Sequence, residues 1–214
     1  MPWSSLMIQR HTLRLAKRTI LSRLSDNSVL RQYVIYSTDL AELAQAAAPD
    51  PRIRWATAAD KAVLVRFGLD SRFVDHAFES GGRTAVLEDA GRIVAVNFYW
   101  FDPVSVDVFT IRYPADAVMA SNGFVDPAYR GLRYFAAIKA FAAREFLTSG
   151  YRRMVSFNRW HNVSANRAHG HAGDRPLFRI VILRGPFRIR LIKERNTLSI
   201  GRWSMTNRKL IVIS

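Results

Sequence analysis

One junction in the sequence constrains the fold most strongly, because a strand there runs directly into a long helix. The apolar run over 117–125 predicts a strand, and the turn that follows at 126–131 contains a proline and a glycine. Apolar residues at helical spacing then predict a helix over 132–147. Its buried face is expected to contain Phe135, Ile138, Phe141, Ala142 and Phe146.

The remaining pattern predicts a mixed α+β fold rather than a doubly wound parallel sheet. Residues 83–88 and 92–101 form a hairpin signal around Asp89-Ala90-Gly91. Further strands are predicted at 32–37, 52–55, 106–113, 153–157, 177–183 and 187–192, and further helices at 6–24, 40–48, 58–67, 71–78 and 162–171. This order indicates a mostly antiparallel sheet flanked by helices.

Composition excludes several classes of protein. Of the 214 residues, 49% are hydrophobic, which is too many for a chain that is disordered throughout. The absence of cysteine excludes a disulfide scaffold, a thiolate zinc site and a cysteine nucleophile. No run approaches the roughly 20 apolar residues of a membrane span, and the N-terminus lacks a secretion signal. We therefore expect a cytoplasmic protein, with peripheral membrane binding as a further option.

The charge is unevenly distributed along the chain. The formal net charge is +15, with 32 basic and 17 acidic residues. Residues 1–31 carry +5 and residues 175–214 carry +9, which leaves +1 for the middle. In the predicted helix 6–24, four basic residues share one face: Arg10, Arg14, Lys17 and Arg18. Basic ends favour an anionic partner such as an acidic carrier protein, an anionic membrane surface, nucleic acid or a phosphorylated cofactor, although they also serve solubility.

The strand-to-helix junction has the properties of an anion site. The first turn of a helix leaves backbone N–H groups unpaired, and the helix dipole adds partial positive charge there. Arg130 and Arg133 add formal charge beside this turn. The junction therefore predicts a site for a phosphate group.

Two motifs resemble those of the GNAT N-acetyltransferase superfamily. The pattern Val-x-Pro-x-x-Arg-Gly, from Val125 to Gly131, resembles the motif with which that family binds acyl-coenzyme A. Asn162, Ala165, His169 and Gly173 stand at the offsets of a second family motif in a later helix. Residues 52–60 resemble the opening strand and helix of the family. The resemblance covers about residues 52–194, with a basic helical extension at 1–51 and a basic strand or tail at 195–214.

The resemblance implies where an acyl-coenzyme A donor would bind. The expected contacts are the backbone of the strand end, the residues of the turn and first helical residues, and the asparagine before the later helix: Gly123, Phe124, Val125, Arg130, Gly131, Leu132, Arg133, Tyr134, Phe135 and Asn162. The sequence departs from the family at Arg133 and Phe135, which replace two later glycines, and at Asp174, which replaces an aromatic residue. A side chain at 133 or 135 crowds the place where phosphate approaches the backbone.

The resemblance also implies direct attack of an amine on the thioester, without an acyl-enzyme. His169 stands where the family often places a tyrosine that protonates the leaving thiolate, and the alternative is a histidine on the helix surface. The general base stays open among Ser121, Asn122 and the more distant Asp116. His161, His169 and His171 have a poor spacing for one metal ion, so no metal is expected.

Two functions remain open at this level. The first is an N-acyltransferase whose donor is acetyl-CoA, another acyl-CoA or an acyl-phosphopantetheine carried by an acyl carrier protein. The second is a non-catalytic basic module that binds nucleic acid or anionic membrane. Its support is the interleaving of arginine and aromatic residues at Phe178, Arg179, Phe187, Arg188, Arg190 and Trp203. Release of free thiol from a thioester separates the two.

Overall fold

The computed structural model describes residues 30–106, 109–183, 189–193, 198–202 and 209–212. The predicted helix at 6–24 lies outside these residues. The described residues divide into two compact units. The larger one contains 36–106, 109–157, 164–176 and 209–212, and the smaller one contains 30–35, 158–163, 177–183, 189–193 and 198–202.

A sheet of mixed direction forms the frame of the larger unit. Its strands lie in the order β1, β8, β7, β4, β3, β2. The bounds are β1 Leu30–Asp39, β2 Ile53–Trp55, β3 Arg83–Asp89, β4 Arg92–Trp100, β7 Ala117–Val125 and β8 Arg153–Arg159. The pairs from β2 through β3 and β4 to β7 are antiparallel, whereas β7 and β8 are parallel. The predicted mostly antiparallel sheet is confirmed.

The helices begin and end close to the predicted residues. They are α1 Leu40–Ala44, α2 Lys61–Arg66, α3 Ser71–Glu79, α4 Tyr134–Thr148 and α5 Val163–His171. The side chain of Asp39 caps α1 by accepting from the N–H groups of Ala41 and Glu42. The helix predicted at 58–67 is divided, because Ala58–Asp60 forms a 3-10 turn and α2 begins only at Lys61. Proline opens a second 3-10 turn, Pro127–Tyr129, ahead of α4.

The expected single strand at 106–113 is wrong. Two short strands occupy this region, β5 at Val104–Val106 and β6 at Phe109–Arg112, and they pair in an antiparallel hairpin. The C-terminal strand β12, Lys209–Val212, pairs in parallel with β6. In the smaller unit, β10 at Ile189–Lys193 pairs in antiparallel register with β9 at Arg175–Leu183 and β11 at Leu198–Arg202.

The core of the larger unit lies between the sheet and α4. The helix buries Ile138, Ala142 and Phe146, as its apolar periodicity predicts. Phe146 packs edge-on against Tyr99 of β4, with ring centroids 5.2 Å apart. The same helix also buries Lys139 completely, on the face that its apolar periodicity places against the sheet. Burying a charged group requires a partner for it, and that partner is described below.

Candidate functional site

The parallel strands β7 and β8 separate at one end. Their pairing runs from Ala117 opposite Arg153 to Ala120 opposite Ser156, where it stops. The last residues of β7, 121–125, therefore continue without a ladder partner on that side. Backbone groups left free in this way can bind an extended ligand, as in β-strand addition.

A β-bulge marks the point of separation. The register of β7 against β4 shifts so that Asn122 and Gly123 together lie opposite the single residue Asn97. Asn122 adopts a left-handed conformation with φ of 49°. Bulges of this kind redirect the strand and are frequent beside active sites. The bulge thus turns the end of β7 away from β8.

The turn between β7 and α4 presents helix N–H groups to solvent. The first helical hydrogen bond runs from Ala137 N–H to the carbonyl of Arg133, so the N–H groups before it are left for other acceptors. The first turn of α4 contains no acidic residue and has no side-chain cap. These properties fit a phosphate group.

Two residues of this turn have left-handed backbone. Gly131 has φ of 87° and Arg133 has φ of 59°. A left-handed conformation costs an ordinary L-residue about 1–2 kcal/mol, whereas glycine adopts it freely. Arg133 thus keeps a backbone conformation that suits glycine, although its side chain adds a positive charge. The turn retains the shape expected of a glycine-rich motif at the position where the sequence departs from it.

Two charged side chains of the turn have hydrogen-bond partners within the protein. Arg130 reaches back along the strand, and its Nε donates to the carbonyl of Val125 at 3.4 Å. Asp126 accepts from Arg92 Nη2 at 2.8 Å, which neutralises the only carboxylate within 125–135. Leu132 is 56% exposed and Arg133 is exposed. The surface of the turn is therefore net positive.

Phe135 lies directly against Gly123. A Cβ atom added at Gly123 would stand 2.5 Å from Cε2 of Phe135 and 2.7 Å from Oδ1 of Asn97. These separations are below any normal contact, so only glycine fits there. The large residue in the helix and the small residue in the strand are thus complementary, which explains how Phe135 replaces a glycine of the family motif.

This complementarity predicts a coupled pair of substitutions. Gly123→Ala should lower the free energy of unfolding by about 1–3 kcal/mol, the usual cost of overpacking. In a Phe135→Ala background the same change should cost less, with a coupling energy of at least about 0.5 kcal/mol in a double-mutant cycle measured by urea unfolding. Gly170→Ala is the control, because a Cβ there meets nothing within 4 Å. Additive costs at 123 and 135 would show that the two residues do not constrain one another.

His169 is buried in the larger unit rather than placed on the helix surface. It is 6% exposed, which excludes the surface alternative. Its ring stacks on Tyr36 of β1, with centroids 4.5 Å apart and planes at 8°, and meets the ring of Phe135 edge-on at 5.3 Å. Its Nδ1 bonds to Oδ2 of Asp174 and lies 3.4 Å from Oγ of Ser156. The histidine thus lies next to the residue that covers Gly123.

Asp174 and Lys139 complete a buried ionic cluster with His169. The side chains of Asp174 and Lys139 are both fully buried. Lys139 Nζ donates to Oδ1 of Asp174 at 2.6 Å and also to Oδ2, and Thr38 Oγ1 donates to Oδ1. Sequence reasoning noted Asp174 only as a departure from the family motif and missed Lys139. The available signal was a lysine on the apolar face of a predicted helix.

The cluster shifts the pKa of each member. Burial lowers the pKa of His169 from 6.5, and the positive charge of Lys139 lowers it further, against the effect of Asp174. Burial also lowers the pKa of Lys139. Burial alone would raise the pKa of Asp174, but the charge of Lys139 and the bonds from His169 outweigh this and hold it below 3.8. At neutral pH these shifts leave Asp174 ionised and His169 neutral, and Lys139 is paired with both oxygens of the carboxylate.

Four further residues that the sequence predicts for the site are not members of the ionic cluster. Asn162 belongs to the smaller unit, where its N–H donates to the carbonyl of Arg159 at 3.0 Å. Among the candidate bases, Ser121 is buried and accepts from Trp100 Nε1 at 2.8 Å. Asp116 precedes β7, at the end opposite the separation, 3.5 Å from Arg153. Asn122, the remaining candidate, is exposed at the bulge.

The described residues include neither a membrane-spanning helix nor a cluster of metal ligands. No helix in this part of the chain combines the length and apolar character needed to cross a membrane. No group of three or more histidine, cysteine, aspartate or glutamate side chains among these residues could hold a metal ion.

The sequence matches no family model and no curated protein. The structure, however, is similar to that of an acetyltransferase of the GNAT family from Colwellia psychrerythraea, with a TM-score of 0.54 at 18% identity, over 71% of this chain and 55% of that chain. The chain has the GNAT fold. The family resemblance drawn from the two motifs is thereby confirmed at the level of the fold.

Two further solved structures are similar to that of this chain. A conserved protein of unknown function from Staphylococcus epidermidis gives a TM-score of 0.55 at 10% identity, over 76% of this chain and 65% of that chain. A Drosophila protein gives 0.51 at 13% identity, over 76% of this chain and 55% of that chain. The chain spans less than two thirds of each of these proteins, and identities this low establish the fold alone.

Proposed function

We propose that the protein is an N-acyltransferase that moves an acyl group from a coenzyme A thioester to an amine by direct attack. The observation that carries this proposal is the separation of β7 from β8 after Ala120 and Ser156, beside an uncapped helix N-terminus, within a GNAT fold. The separation frees the backbone of one strand for an extended donor. The helix N-terminus supplies a phosphate site at the adjacent end of that strand.

The donor would be held by backbone groups and by charge. The N–H groups of 131–136 and the guanidinium groups of Arg130 and Arg133 would bind its phosphates. The pantetheine arm would hydrogen-bond to the backbone at the end of β7, at Gly123, Phe124 and Val125. A backbone N–H there would also polarise the thioester carbonyl, as an oxyanion donor does.

His169 would move the proton. The amine nitrogen attacks the thioester carbonyl carbon, the new C–N bond forms, and the C–S bond breaks. A neutral His169 would accept the proton that the amine loses and then return it to the leaving thiolate, which gives an amide and a free thiol. Every proton is accounted for without a metal or a covalent acyl-enzyme.

Calorimetry with coenzyme A tests the donor site. Arg133→Gln removes one positive charge and keeps a side chain at this position. The affinity for coenzyme A should therefore fall about tenfold, which corresponds to the loss of one charge-assisted hydrogen bond. Arg133→Gly should weaken binding similarly but raise the free energy of unfolding by about 1 kcal/mol, since the left-handed backbone is relieved.

Arg72→Gln is the matched control for this measurement, because the side chain of Arg72 is 90% exposed and pairs with the nearby Asp70. Equal coenzyme A affinity in the wild type and both Arg133 variants would remove that arginine from the site. Gly131 is a poorer test position, since its φ of 87° would strain any replacement.

A narrower proposal concerns the molecule that carries the acyl group to the protein. An acidic acyl carrier protein would suit the net charge of +15, of which the described residues carry +9. Acyl-phosphopantetheine on a carrier protein should then be used more efficiently than the same acyl group on coenzyme A at low salt. The advantage should decline at high salt, because attraction between surface charges is screened over about 8 Å at physiological ionic strength.

A further inference from the structure

Asp174 accepts hydrogen bonds on both of its oxygens and is paired with the buried ammonium group of Lys139, which favours the ionised carboxylate. Oδ1 accepts from Thr38 Oγ1 and from Lys139 Nζ, while Oδ2 accepts from Lys139 Nζ and bonds to Nδ1 of His169. An ionised carboxylate can only accept hydrogen bonds. The proton in the contact with His169 must therefore reside on Nδ1 of the histidine.

The other groups around His169 do not compete for that proton. Ser156 Oγ lies 3.4 Å from Nδ1, farther than the carboxylate, and its hydroxyl can serve as donor or acceptor elsewhere. Tyr36 contacts the ring through its face, and its hydroxyl donates to Oδ1 of Asn166 at 2.8 Å. Phe135 contacts the ring edge-on and has no proton to exchange.

The charged groups that face His169 come from two elements only among the described residues. Lys139 is on α4, and Asp174 follows α5 directly. They form a buried pair whose charges cancel, so an additional charge on His169 would stand alone in a region of low polarity. The pair therefore opposes protonation of the ring while it fixes where the single proton lies.

We propose that Asp174 and Lys139 are positioning residues that hold His169 as the neutral tautomer with its proton on Nδ1 and its lone pair on Nε2. The proposal rests on the proposed function for its catalytic meaning, because it makes His169 a proton acceptor at the start of the reaction. Asp174 orients the ring and selects the tautomer. Lys139 keeps Asp174 ionised and keeps the ring uncharged.

Nitrogen NMR of the ligand-free wild-type protein tests the tautomer without any variant or substrate. Protein labelled with ¹⁵N at histidine should show, at pH 7, one imidazole with protonated Nδ1 and unprotonated Nε2. The signal is assigned to His169 by its loss in His169→Gln. The opposite tautomer, or a doubly protonated ring at pH 7, would overturn the proposal.

Two substitutions then have opposite expected effects on the same titration. Lys139→Met leaves the carboxylate beside the ring, so the pKa of His169 should rise by at least about one pH unit. Asp174→Asn removes the anion and leaves Lys139, so the pKa should fall and the tautomer preference should be lost. The double variant should titrate between these limits. His171, which is exposed on the same helix, is the internal control and should not move.

Failure of this inference can be told apart from failure of the proposed function. If the Nδ1–H tautomer is found and both pKa shifts have the expected sign, the positioning network stands even where no acyl transfer is detected. If acyl transfer is detected but the two variants shift the pKa of His169 in the same direction, the function stands and the network is overturned. A purely structural role for the pair would not produce opposite shifts.

Discussion

Replacing His169 by phenylalanine is expected to slow acyl transfer by about 10²-fold or more, which is the lower range for loss of acid–base catalysis. Phenylalanine preserves the ring that stacks on Tyr36 and contacts Phe135. It removes both ring nitrogens, so the side chain can neither accept the proton of the amine nor protonate the leaving thiolate. The rate is measured as thiol release at saturating donor and amine.

His169→Tyr is the matched comparison, because the GNAT superfamily, which this sequence resembles, often has tyrosine at this position. It should retain a larger part of the rate than His169→Phe, provided that thermal unfolding shows both variants to be folded. Wild-type rates in both variants would remove His169 from the reaction.

The same histidine predicts the pH dependence of the rate. The pKa of His169 is lowered from 6.5 because burial disfavours its charged form. The neutral acceptor is therefore fully present above pH 6.5 and is lost as pH falls through the lower, folded value. The acid limb of kcat/KM should lie below pH 6.5 in the wild type and move upward in Lys139→Met.

Lys139→Met is expected to lower the free energy of unfolding by about 3–5 kcal/mol, since it leaves the Asp174 carboxylate buried without its counter-ion. Both side chains of the pair are fully buried. The double variant Lys139→Met, Asp174→Asn removes both charges and should recover much of that loss. The measurement is urea unfolding at pH 7 with a constant m-value as the test of two-state behaviour.

The Lys61–Asp75 pair is the control for this cycle. The side chains of Lys61 and Asp75 are 30% and 53% exposed, so Lys61→Met should cost only about 0–1 kcal/mol. A loss of similar size at 61 and 139 would mean that burial does not decide the effect. A double variant as unstable as the sum of the single variants would contradict the existence of a coupled pair.

Acid should weaken the fold through the same cluster. The folded-state pKa values of His169 and Asp174 are both depressed, from 6.5 and 3.8 respectively. The stability linked to each group is present above its unfolded value and is lost as pH falls through its folded value. The free energy of unfolding of the wild type should therefore decline as pH falls below 6.5, in two stages.

Local sequence signals were sufficient for the elements that frame the site. The strand 117–125 was predicted with its observed bounds, because a proline–glycine turn follows an apolar run there. The hairpin of β3 and β4 followed from the turn at Asp89-Ala90-Gly91, and α4 from its apolar stripe. Each of these signals depends on residues that are near one another in the chain.

The chemistry within the site depends on contacts between distant residues. Lys139 and Asp174 are 35 residues apart in the sequence, and Thr38 is 136 residues from Asp174. No periodicity specifies such a pairing, so Lys139 was missed. The left-handed backbone conformation of Arg133 could not be predicted either, because arginine seldom adopts it. The division of 106–113 into two strands was missed because its apolar residues continue across the break.

The most direct test of the central claim is release of free thiol. Purified full-length protein is incubated with acetyl-CoA or a longer acyl-CoA, with and without a panel of primary amines, and the thiol is quantified by a colorimetric reagent while the amide is identified by mass spectrometry. The account predicts thiol and amide in equal amounts with at least one pair of substrates, dependent on both amine and protein and strongly reduced in His169→Phe. Coenzyme A binding without thiol release from any thioester would contradict it, and would favour a non-catalytic binding module on a GNAT fold.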